Sequence, residues 1–194
     1  RGAGLKPRRT YFWKVRGWDE KGRPSPWSLP ARWTMGMLDE PWPGKYIGLD
    51  PSSGDPEFPF LRKQFRLNTS PVSARAYVNA LGYYELHCND QKVDDHLLMP
   101  APSQYDKRSY YTVHDVTDMF QEGENAVGLW LGRGWYSEGL PGVAHTGPVV
   151  RAFVELVFPD GAVMQIATDE TWKGHTSHYS RIGLWRGGNF GGER

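Results

Sequence analysis

The sequence predicts an all-β fold built as a β-sandwich of jelly-roll type, and three observations point there. Aromatic residues make up 14% of the chain with nine Trp, set among 23 Gly and 15 Pro, a composition suited to short strands and tight turns. Runs of alternating apolar and polar residues recur at intervals of roughly 8–12 residues, each bounded by turn-forming residues. No stretch carries the sustained helical periodicity needed to cap a sheet.

The first element is "TYFWKVRGW", Thr10 to Trp18, with Tyr11, Trp13 and Val15 on one face and Phe12, Lys14 and Arg16 on the other. "DEKGRPSP" reverses the chain, because Asp19 and Gly22 supply turn chemistry and Pro24 and Pro26 cannot donate to a central ladder. Ala31, Trp33 and Met35 follow at period two. A lone hairpin is marginal in water, so these strands are expected to belong to a sandwich. Five prolines between residues 39 and 60 mark a linker or wrapping loop, with a domain boundary near Leu38.

The second domain is expected over residues 61–194. "LRKQFRL" places Leu61, Lys63, Phe65 and Leu67 on one side, and "SARAYVNAL" and "YYELHCNDQKV" follow, with Asn89-Asp90 making a turn. "SYYTVHDVTDMF" reads as a strand closing in a helical turn over 117–121, and "EGEN" reverses the chain into "AVGLWLG". Pro159-Asp160-Gly161 between "RAFVELVF" and "AVMQIAT" signals a hairpin, since Pro presets one turn angle and Gly supplies positive φ.

A formal charge of +1 argues against a nucleic-acid partner, and no apolar run reaches the ~20 residues of a membrane helix. The single Cys88 excludes an internal disulfide and a cysteine-built zinc site, and it reads as a small buried residue. Asn89, Asp90, Asp94 and Asp95 are rich in oxygen but lack the ligand order of a calcium loop, and His175 and His178 lack a third ligand, so no metal or other cofactor is expected. In "GLWLGRGWYSEG" the glycines would let a ligand approach the rings of Trp135 and Tyr136. Together with Arg133 these are the candidate carbohydrate-binding residues; packing against a strand end or a neighbouring domain is the competing reading.

The segments "FLRKQFRL", "YVNALGYYELHCNDQKVDDHLLMPAPSQYDKRSYYTVHDVT", "EGENAVGLWLGRGWY" and "GGNFGGER" resemble the N-terminal β-sandwich region of bacterial α-L-rhamnosidases, glycoside hydrolase family 78. Residues 1–38 resemble the last strands of the fibronectin-III-like domain that commonly precedes it. The family turn is usually Asn-Gly where this chain has Asn89-Asp90. The resemblance implies a parent enzyme that hydrolyses terminal non-reducing α-L-rhamnose with inversion, using two carboxylates on an (α/α)6 barrel. None of the 22 acidic residues here matches those barrel motifs, so no catalytic residue is assigned and the chain alone is expected to be inactive. The implied partners are that barrel and rhamnose-containing glycans. A free-acting carbohydrate-binding module and the jelly-roll domain of a β-galactosidase or β-glucuronidase are the alternatives. A cytoplasmic location is expected, with secretion left open.

Overall fold

The computed structural model describes residues 4–49, 58–137, 147–183 and 187–190. The "GGER" close and residues 50–57 lie outside them. The chain divides between Trp42 and Pro43 into two compact units. Among the described residues strands dominate, helix is confined to single 3-10 turns, and no helix is long and apolar enough to cross a membrane.

The first unit holds β1 (Thr10–Trp13) and β2 (Ala31–Thr34), paired antiparallel with Tyr11 opposite Trp33. Their rings stack at 5.6 Å, a cross-strand aromatic pair of the kind that holds short ladders. The regular strand stops at Trp13, short of the Trp18 expected from alternation. Beyond it Ser side chains take over backbone partners, Ser28 Oγ accepting from Val15 N at 3.1 Å and Ser25 Oγ from Gly17 N at 3.1 Å. Asp19 closes the turn by accepting from the backbone N–H groups of Lys21 and Arg23, each at 2.9 Å.

The second unit is a two-sheet sandwich. Its strands are β3 (Pro59–Leu67), β4 (Ser73–Leu81), β5 (Tyr83–Cys88), β6 (Gln91–Lys92), β7 (Thr112–Asp115), β8 (Gly123–Gly132), β9 (Val149–Val157), β10 (Val163–Ala167) and β11 (Lys173–Thr176). One sheet runs β10-β9-β4-β7 and the other β11-β3-β8-β5-β6. A small ribbon of β12 (Tyr179–Gly183) and β13 (Gly187–Phe190) follows. Period-two patterning decides which face turns inward. Ala74, Ala76, Val78 and Ala80 of β4 and Val150, Ala152, Val154 and Leu156 of β9 meet Leu61 and Leu67 of β3, Val127, Leu129 and Leu131 of β8 and Leu86 and Cys88 of β5. Small residues on β4 against larger ones opposite let the two layers interdigitate.

Several local expectations hold. The Pro159-Asp160-Gly161 turn joins β9 to β10 with Gly161 at φ 84°, and the 117–121 region forms a 3-10 turn at Thr117–Met119. Two further features add detail: part of the segment expected as a linker or wrapping loop lies along the sandwich, and two asparagines pair. Residues 43–49 form a strap on the sandwich: Lys45 N donates to Thr168 O, Ile47 exchanges backbone bonds with Val150 at 2.9 Å, and the buried Thr168 hydroxyl donates to Lys45 O at 2.6 Å. Asn89, in the turn between β5 and β6, and Asn125, near the start of β8, form an amide pair. Asn89 Nδ2 donates to Asn125 Oδ1 and to Met119 O, both at 2.8 Å, while Asn89 Oδ1 accepts from Ala126 N at 2.8 Å.

Candidate functional site

The outward face of the five-stranded sheet carries the site, and the sequence of β8 explains why. Leu129 and Leu131 point into the core, so Gly128, Trp130 and Gly132 share the opposite face. With no side chain at either glycine, neighbouring residues close in beside Trp130: a Cβ at Gly132 would lie 3.7 Å from the Phe58 ring and one at Gly128 3.7 Å from His87 Cβ. Phe60 lies opposite Trp130 in the ladder and stacks on it at 4.9 Å. On the other side β5 contributes Tyr83 and Glu85, in register with Gly132 and Trp130.

A cavity of about 430 Å³ opens over this face, lined by Phe58, Tyr83, Glu85, Trp130, Arg133 and Gly134 together with the loop residues His96, Leu97 and Leu98. Its size falls within the range of small-molecule sites, ~300–1,000 Å³, and its lining is mostly apolar with a few polar groups. Burial raises the Tyr83 phenol above its ordinary pKa, with a smaller push from Tyr105. Glu85 is the single carboxylate among the described lining residues. It accepts from Lys92 Nζ at 2.6 Å, and His87 Nε2 lies 3.6 Å away.

The loop wall is held by a polar chain that crosses between the two sheets. His114 of β7 donates through Nδ1 to Asp94 Oδ2 at 2.7 Å, which leaves Nε2 to accept from the Tyr84 hydroxyl at 2.7 Å. Thr112 of β7 bonds the same hydroxyl. Asp94 Oδ1 receives His96 N at 3.0 Å and faces His96 Nδ1 at 3.1 Å. Burial lowers the pKa of His114, with Asp94 opposing the shift. For Asp94 burial acts upward, but the His96 hydrogen bonds and the His114 charge outweigh it and hold the carboxyl low. Burial pushes the Tyr84 phenol up to about 12.

Of the residues singled out in the sequence, Arg133 lines the cavity, whereas Trp135 and Tyr136 sit on the 3-10 turn Gly134–Ser137 beyond it. Tyr136 is 3% exposed and meets Tyr105 edge-on at 5.1 Å, so its ring is packed against protein. Trp135 is half-buried. Trp130, Tyr83 and Phe58 were missed. The signal was present as Gly128-x-Trp130-x-Gly132, small residues at period two around one large ring, but it becomes meaningful only once the inward face of β8 is known. Asp94, weighed as a turn or calcium residue, is engaged by two histidines, and no group of three or more His, Cys, Asp or Glu among the described residues is placed to hold a metal.

The family described as Alpha-L-rhamnosidase N-terminal domain matches residues 69–193. The chain belongs to that family. A second match, the Rha78A-like N-terminal immunoglobulin domain, covers residues 1–39. An α-L-rhamnosidase of Formosa agariphila is 35% identical over 90% of this chain and 22% of its own length. The solved α-L-rhamnosidase of Dictyoglumus thermophilum superposes with a TM-score of 0.88 at 32% identity, over 98% of this chain and 23% of that one. That of Aspergillus terreus gives 0.87 at 28% identity, over 97% and 23%. This α-L-rhamnosidase N-terminal domain chain thus spans under a quarter of the relatives it matches. The β-sandwich fold expected from patterning is the fold of the family, and the first unit corresponds to the immunoglobulin-type match.

Proposed function

We propose that this chain is the accessory N-terminal region of an α-L-rhamnosidase, seated beside a catalytic barrel that removes terminal non-reducing α-L-rhamnose, and that it contacts the glycoside. The observation that carries the reading is the likeness to the Dictyoglumus thermophilum enzyme, spread over 98% of this chain and 23% of that one. The site chemistry supports it. Inverting hydrolysis requires an acid and a base on opposite sides of the sugar, ~6.5–9.5 Å apart. Among its described residues the cavity lining offers one carboxylate, Glu85, already tied to Lys92. Bond cleavage therefore falls to the barrel, and contact with the sugar to Arg133 at the cavity and to the half-buried Trp135 beside it, while Tyr136 is packed away against Tyr105.

Release of 4-nitrophenol from its α-L-rhamnoside tests this assignment. The chain alone is expected to release none, while the parent enzyme does. Turnover by the chain, lost on substituting one of its carboxylates, would overturn it.

A further inference from the structure

The cavity is built for rings more than for hydroxyls. Among the described lining residues Phe58, Tyr83, Tyr84 and Trp130 are aromatic, Leu97 and Leu98 form one wall, and the polar side chains are Glu85, His96, Arg133 and the two tyrosine hydroxyls, that of Tyr84 already bonded to Thr112 and His114. A monosaccharide presents hydroxyls around its whole edge and needs a comparable ring of donors and acceptors, because each buried unpaired polar group costs about 1–3 kcal/mol. A flat, largely apolar ring system with one or two polar substituents loses far less here.

The wall is also preformed. Leu97 and Leu98 are 74% and 68% exposed, and Leu98 holds φ at 58°, a left-handed conformation that a leucine rarely adopts. Three ties keep this tip in place: Val93 N donates to Leu86 O at 2.9 Å, Tyr84 N to Met99 O at 3.1 Å, and His114 Nδ1 to Asp94 at 2.7 Å. Two exposed leucines are thus fixed as part of the lining of the cavity that Trp130 and Tyr83 also line.

We infer that this cavity binds the apolar, ring-bearing aglycone of a glycoside, with Trp130 and Tyr83 as stacking surfaces and the Leu97–Leu98 tip as the opposing wall. The inference rests on the glycoside-contacting reading above and adds which part of the substrate the domain holds. Arg133 supplies a cation for an oxygen substituent on the ring system.

Calorimetric titration of the full chain with 4-nitrophenyl α-L-rhamnoside, 4-nitrophenyl β-D-glucoside and methyl α-L-rhamnoside tests it. Both aryl glycosides are expected to bind, and the methyl glycoside about ten-fold more weakly or not at all, the loss that one ring contact carries. Leu97→Ser with Leu98→Gly removes the wall at exposed positions, relieves the left-handed leucine, and is expected to weaken aryl binding by about ten-fold with the fold intact. Equal affinity for the methyl and aryl rhamnosides would overturn the inference while leaving sugar contact standing. Aryl binding unchanged in the Leu97/Leu98 variant would overturn the placement. No binding of any of the three would overturn it too, while hydrolysis by the parent enzyme judges the family reading separately.

Discussion

Gly134 lies flat against the ring of Tyr83: a Cβ at that position would fall 2.9 Å from Tyr83 Cγ, on a backbone whose φ is already 55°. Two physical demands thus coincide at one glycine, a left-handed turn and face-on contact with an aromatic ring. Gly134→Ala is expected to lose about 1–3 kcal/mol, since the methyl must displace the ring as well as accept the strained backbone. Urea denaturation reads the loss, and pairing it with Tyr83→Leu should recover part of it. Full additivity of the two changes would show that the contact carries no energy.

Asn125 is 3% exposed and donates through Nδ2 to Gln121 O at 2.7 Å and Gly123 O at 3.0 Å while accepting from Asn89. Asn125→Ala strands these carbonyls and the Asn89 amide, so a destabilisation of about 2–4 kcal/mol is expected. Asn125→Asp should be nearly as harmful, because a carboxylate has no proton to give to either carbonyl. A midpoint shift confined to the alanine variant would contradict this account.

The Asp94–His114–Tyr84 chain makes stability depend on pH. His114 has its pKa lowered from 6.5 by burial, so the unfolded chain binds the proton more readily and stability falls as pH drops below that value. Asp94 has its pKa lowered from 3.8, so its contribution is present above that value and is lost at more acid pH, as it protonates in the folded state. The groups facing His114 are Asp94, Tyr84 and His96. Thermal melts from pH 7.5 to 3 should therefore decline in two stages, and His114→Gln should remove the upper one. An unchanged upper stage in that variant would assign it elsewhere.

Cys88 is 0% exposed and burial pushes its thiol up to about 12, so almost no thiolate is present at neutral pH. Native protein is expected to resist a thiol-reactive disulfide reagent and to react fully once unfolded in guanidinium. Prompt reaction without denaturant would mean that β5 opens locally.

Much of the sandwich was legible because one face of each strand is buried and the other is not. Leu61, Leu67, Val127, Leu129 and Leu131 announce themselves by spacing, and Pro159-Asp160-Gly161 by the angles those residues permit. The prolines of residues 39–60 allowed a linker or a wrapping loop, but where residues 43–49 would lie was hidden, because their bonds to Thr168 and Val150 are mostly backbone contacts that composition does not encode. The site was half legible. Arg133 and Gly134 mark where β8 ends, but the ring surface is Trp130, whose outward direction depends on register, and the wall depends on an Asp94–His114 bond across two sheets.

Phe60 lies opposite Trp130 and Leu67 opposite Gly123, so β3 has its partner far along the chain. During synthesis on a ribosome β3 emerges well before β8 and waits with its ladder groups and its apolar face uncovered. Nascent chains halted before Gly123 should therefore recruit holdase chaperones, and that recruitment should end only once β9, which covers the apolar face of β3, and β11, which pairs with its other edge, have cleared the exit tunnel.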